Sequence, residues 1–211
     1  MRMRDIDVRQ AMRSTLQHRK ENESALILDE FDLCGEVRVD IAVLNGHLCG
    51  YELKSASDNL KRLPKQVRYY SAVLDYCNLV VAENHLDEAL NMIHDFWGVY
   101  IARQTSNGRT FIRKLRNPKS NKSNIDPHAL VQLLWRDETI DILTHYGFDR
   151  GVRSKTRTTC WDRMVDSFSL PQLRKLVHTQ LKTRTNWRCD NLSLSNPDTT
   201  PEIEGHTLTC D

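Results

Sequence analysis

The stretch VRVDIAVLNGHLCGYELK, residues 37–54, decides the fold. Val37, Val39, Ile41 and Val43 alternate with Arg38, Asp40 and Ala42, the period of two expected of a half-buried strand. Asn45-Gly46 then supplies a strong hairpin signal, and Leu48, Tyr51 and Leu53 continue the apolar pattern on the way back. Glu52 and Lys54 stand two apart on this return strand, so they project from one face. A strict two-residue turn would pair Asp40 with Tyr51 and aim Asp40 away from Glu52. Bringing Asp40 to the face of Glu52 and Lys54 requires a three-residue loop, so we expect Gly46 in the left-handed region and an even register.

The flanking sequence extends the pattern. A helix is expected from about Pro64 to Tyr76, with its proline in the first turn, and a short buried strand at Leu79–Ala82. Upstream, Val8, Ala11, Met12, Thr15 and Leu16 form a helical stripe, and Ala25–Phe31 reads as a first strand. Downstream, a helix is expected around Leu86–Ile93 and a second hairpin around Asn107-Gly108.

From Arg38 to Val81 the chain resembles the PD-(D/E)XK nuclease superfamily, in a bacterial and phage branch whose acid-x-Lys is followed by Arg-Leu-Pro, Gln and Tyr, here Arg62-Leu63-Pro64, Gln66 and Tyr70. The resemblance implies an α/β fold with a restriction-endonuclease-like core, a mixed central sheet flanked by helices. It implies a catalytic set of Asp40, Glu52, Lys54 and Gln66, with Asp40 and Glu52 holding Mg²⁺ or Mn²⁺ through carboxylate oxygens. Lys54 would orient water or neutralise phosphate charge, and Gln66 would support the site from the helix above it. An additional acid is expected from Asp7, with Glu30 as competitor. The implied activity is that of a metal-dependent endonuclease, a hydrolase of DNA phosphodiester bonds in repair, recombination or defence against foreign DNA. The alternative is a catalytically inactive DNA-binding module that keeps the fold as a scaffold.

Charge divides the chain. Residues 1–108 carry roughly −3, residues 109–190 roughly +9 and the remainder roughly −4. The basic block is where a phosphate backbone would be gripped, above all at Arg153, Lys155 and Arg157, with Lys61, Arg62 and Arg68 beside the cleft as further nucleic-acid contacts. A domain of residues 1–116 is therefore expected to be followed by a small basic helical subdomain at 117–190 and a flexible tail at 191–211. Within the second segment Asp126-Pro127 reads as an N-cap with a first-turn proline, and Ser169 with Gln172 as a capping box. Trp135, Trp161 and Trp187 are expected to pack in this helical part.

Composition narrows the remaining classes. Six widely spaced cysteines without a C-x-x-C pair read as reduced thiols rather than a zinc site or disulfide framework. Neither a signal peptide nor a membrane-spanning run is visible, so a cytoplasmic protein is expected, with nucleic acid rather than membrane as partner. A homodimer is compatible with this reading. Phosphate-binding glycine loops, paired-histidine helices and Gly-x-Ser-x-Gly elbows are missing from the sequence.

Overall fold

A computed structural model describes residues 3–19 and 22–185. The expected tail at 191–211 lies outside the described residues, as do Trp187, Cys189 and Cys210. The chain opens with α1 (Asp5–Gln17), followed by the strands β1 (Leu26–Leu33), β2 (Val37–Leu44) and β3 (Leu48–Lys54). Next come α2 (Leu63–Val73), β4 (Tyr76–Ala82), a single 3₁₀ turn, α3 (Leu86–Leu90), β5 (Gly98–Gln104) and β6 (Thr110–Arg116). Four helices complete it: α4 (Pro127–Val131), α5 (Arg136–His145), α6 (Arg157–Ser167) and α7 (Leu170–Thr183).

The strands form one open six-stranded sheet in sequential order, with β1 and β6 at its edges. β1, β2 and β3 are antiparallel, β3, β4 and β5 run parallel, and β6 returns antiparallel to β5. The parallel pairs need crossovers, which α2 and α3 provide. Pro64 lies in the first turn of α2, where its missing N–H would have had no helical partner.

The β2–β3 turn settles the register. Leu44 pairs with Leu48 and Ile41 with Tyr51, so Asn45, Gly46 and His47 form a three-residue loop. Gly46 has φ +70°, a conformation in which a side chain would clash with its own backbone. Asp40 is thereby set toward Glu52 rather than Tyr51.

The regular alternation expected along β2 does not hold throughout. Val39 packs with Phe31 and Leu33 beneath α2, whereas Ile41 and Val43 pack under α1 and Ala42 and Leu44 return to the α2 side. The β1–β2 ladder correspondingly skips the position where Glu30 faces Asp40, and Glu30 itself adopts φ +51°. This paired irregularity lets β1 bury Phe31 and Leu33 on the same side as Leu26 and Leu28, and it leaves Asp40 where the strand changes face.

Each face of the sheet has its own core. Val8, Met12 and Leu16 of α1 pack on Ile41, Tyr51, Leu53, Val80 and Tyr100. The opposite face is thicker. There Tyr70 stacks on Trp97 with ring centroids 5.6 Å apart, and the same core continues through Leu130, Leu143, Met164, Leu173 and Val177. The expected restriction-endonuclease-like core carrying a small appended subdomain is therefore corrected. The protein has an open, sequentially ordered sheet whose α2 side shares one continuous core with helices α4–α7. Among the described residues no helix is long and apolar enough to cross a membrane.

Candidate functional site

A cleft of about 650 Å³ opens at the C-terminal end of β3, between α1, the β1–β2 hairpin and the start of α2. The turn geometry brings Asp40, Glu52 and Lys54 to its floor, and α2 adds Gln66 from above. Glu52 and Lys54 are almost fully buried, at 1% and 4% exposure, and form an ion pair with each other. Lys54 also donates to Gln66 Oε1 at 3.1 Å. The second oxygen of Glu52 accepts the Tyr70 hydroxyl at 2.5 Å. Both oxygens of the carboxylate are thus committed inside the protein. Burial pushes the Glu52 carboxyl above the ordinary range, while Lys54 and the hydrogen bonds pull the other way.

Asp40 is held differently. Its Oδ2 accepts the Leu53 backbone N–H at 2.7 Å, a bond that extends the β2–β3 ladder past its last pair. Its Oδ1 faces Arg9 Nη2 at 3.2 Å, and Arg9 also donates to the Asp40 carbonyl at 2.7 Å. Burial, reinforced by the neighbouring Glu52, pushes the Asp40 carboxyl up to about 7.

The two acids considered as supplements separate. Asp7 turns back to accept the Arg4 backbone N–H at 2.9 Å and caps α1. Glu30 lines the cleft and accepts Arg9 Nη2 at 2.8 Å. Arg9, which the sequence reading passed over, is therefore the hub of the α1 wall, in reach of Asp5, Glu30 and Asp40. An arginine one turn after Asp5 on an amphipathic helix was the available signal, but its partners are up to 31 residues away.

The expected cationic contacts occupy two places. Arg62 lines the cleft, and Arg68 lies over the Tyr69 ring at 5.8 Å. Lys61 is exposed on the approach to α2. Arg153 and Lys155 lie in the loop between α5 and α6, and Arg157 opens α6. That loop is fastened by buried Val152 and by Arg136, which donates to the carbonyls of Arg153 and Lys155. Arg153 pairs with Asp149, and Arg157 covers the Trp161 ring at 4.5 Å.

These features define a small α/β protein whose conspicuous acid-x-Lys is turned into a buried polar network. A family model described as Bacteriophage P4 protein cII matches residues 4–202, and the chain belongs to that family. Protein cII of Enterobacteria phage P4 is 24% identical over 183 residues, covering 86% of this chain and 68% of that protein. A solved protein of unknown function from Silicibacter pomeroyi aligns over 52% of this chain and 70% of its own, at 18% identity and a TM-score of 0.38.

Family membership overturns the assignment to the PD-(D/E)XK superfamily, with the restriction-endonuclease-like fold and the nuclease, endonuclease and hydrolase activity attached to it. The geometry supplies the physical reason. Each oxygen of the two carboxylates has a partner inside the protein: Lys54 and Tyr70 for Glu52, Leu53 and Arg9 for Asp40. Among the described residues no group of three or more His, Cys, Asp or Glu side chains is placed to hold a metal ion.

Proposed function

We propose that this chain is a DNA-binding protein of the regulatory kind, acting by occupying DNA rather than cutting it. The observation that carries the reading is the charge of its C-terminal half, where residues 109–190 hold 17 lysines and arginines against 8 acids. Such an excess attracts a phosphate backbone and gains free energy by releasing its counterions. Membership of a bacteriophage family and the closed state of the Glu52–Lys54 pair support a binding role over a hydrolytic one. Arg153, Lys155 and Arg157 around the start of α6, and Lys61, Arg62 and Arg68 around the start of α2, are the proposed backbone contacts. Asp40, Glu52, Lys54 and Gln66 are proposed to fix the β2–β3 hairpin against α2. The reading gives Mg²⁺ and Mn²⁺ no role. A homodimer belongs to the proposal because regulators that read paired half-sites bind as dimers.

Fluorescence anisotropy with a labelled duplex at several salt concentrations tests it. Binding is expected to weaken steeply with salt, and Arg153→Ala, Lys155→Ala and Arg157→Ala together should reduce the slope of log affinity against log salt by up to about three. The duplex should be recovered intact after incubation with Mg²⁺ or Mn²⁺. Absence of binding even at low salt would overturn the reading.

A further inference from the structure

A second groove, of about 440 Å³, lies at the other end of the β2–β3 hairpin, between the His47 turn, the segment around Lys122 and one face of α7. We propose that this groove grips the sugar-phosphate backbone of DNA, an inference that rests on the DNA-binding reading and names a surface for it.

Its construction is specific. Buried Asp75 accepts the Leu48 backbone N–H at 2.9 Å and the Arg174 Nε at 2.9 Å, and its own carbonyl accepts the Asn121 N–H at 2.9 Å. One fully buried acid therefore ties the hairpin, the 117–126 segment and α7 together, and Arg174 neutralises it beneath the groove. The charged groups that remain on the walls are all cationic. Lys122, Lys175 and Lys182 line the groove, and none is ion-paired within the described residues. His47 Nδ1 and His178 Nε2 are both buried without a hydrogen-bond partner, and His178 only approaches Asp75, at 3.6 Å. The three ammonium groups are the donors this groove offers to an anion, with a partnerless ring nitrogen of His47 and of His178 beside them.

Spacing favours a polymer over a single anion. Lys175 and Lys182 are seven residues apart on α7, about 10 Å along the helix axis, which matches about three nucleotides of rise along one strand. His178 lies between them on the same face.

The test compares wild type with Lys122→Ala, Lys175→Ala and Lys182→Ala combined, by anisotropy on the same duplex across salt. Lys175 and Lys182 are exposed and Lys122 half-buried, so the variant keeps its fold, which circular dichroism checks. If all three lysines touch phosphates, the salt slope falls by up to about 2.7 and affinity near 0.1 M salt drops by at least about tenfold. In nuclear magnetic resonance the imidazole signals of His47 and His178 should shift when duplex is titrated into wild type and stay still in the variant. Failure of wild type to bind duplex would overturn the DNA-binding reading and this inference together. Binding by wild type, with an unchanged slope in the variant and unmoved imidazole signals, would overturn the groove alone and leave the contacts around Arg153 and Arg62 in place.

Discussion

The two ends of one hairpin use charge in opposite ways. At the Asp40–Glu52 end the cleft is lined by seven acids and five basic residues, and its central charges are spent on each other: Lys54 on Glu52, Arg9 on Glu30 and Asp40. At the Gly46 end the groove is lined by four lysines and arginines and two histidines, with no acid on its wall among the described residues, and Arg174 is the one of the four cations among them that is ion-paired, to Asp75 below. The difference teaches that residue type does not identify a site. A carboxylate and an ammonium two residues apart on a strand can satisfy each other inside the protein, while lysines from two distant segments can stay available to solvent.

The largest expected effect separates the two ends by stability. Glu52→Ala or Lys54→Ala leaves a buried charge without its partner and should cost about 3–5 kcal/mol, read by urea unfolding. Replacing both together by Leu and Met should recover much of that loss, because an apolar pair of similar volume carries no desolvation penalty. Single variants as stable as wild type would mean that the pair is not what holds β3 against α2. Tyr70→Phe, which frees one Glu52 oxygen, should cost about 1–3 kcal/mol.

A pH series probes the same end more finely. The Asp40 carboxyl is pushed up to about 7 in the folded protein, from an ordinary value of 3.8. Below the ordinary value the group is protonated in both states and contributes nothing. As pH rises through the window between them the unfolded chain releases its proton first, so the folded state is progressively destabilised by this group up to about pH 7. Asp40→Asn removes that destabilisation. Its melting temperature relative to wild type should climb between about pH 4 and pH 7.5, by an amount equivalent to about 2 kcal/mol after allowing for the solvent contact Asp40 retains. A constant difference across the window would show that Asp40 is not strained by its burial.

Local devices were legible because their chemistry is local. The Asn45-Gly46 turn with its even register, the Asp126 N-cap accepting His128 N–H at 2.8 Å, and the Ser169–Gln172 capping box all rest on residues within a few positions of each other. After that N-cap the chain makes two helices, since Glu138 accepts the Trp135 N–H at 2.7 Å and starts α5 afresh. The change of face at Glu30 and Asp40 left no trace in the pattern, because a glutamate at positive φ has no sequence signature. The second groove was invisible for a different reason: its parts come from positions 47, 122 and 174–182, joined only through Asp75. The acid-x-Lys was misread because sequence spacing fixes which face of a strand two groups share, not whether that face is open or closed.

The smallest effects should come from the basic end, and their smallness is the point. Lys175 is exposed, and its ammonium has no hydrogen bond or ion pair among the described residues, so Lys175→Ala should move stability by no more than about 0.5 kcal/mol in either direction. Lys182 differs because it sits in the last turn of α7, where its charge opposes the negative end of the helix dipole. Lys182→Ala should therefore cost about 0.3–1 kcal/mol at low salt, and less as salt is added. Thermal melts at two ionic strengths distinguish these cases. A salt-dependent loss at position 182 but not at 175 would show that Lys182 also serves the helix end, while Lys175 adds nothing to the fold and is left for a partner. A loss of several kcal/mol at Lys175 would show instead that the basic end, like the acidic one, spends its charge internally.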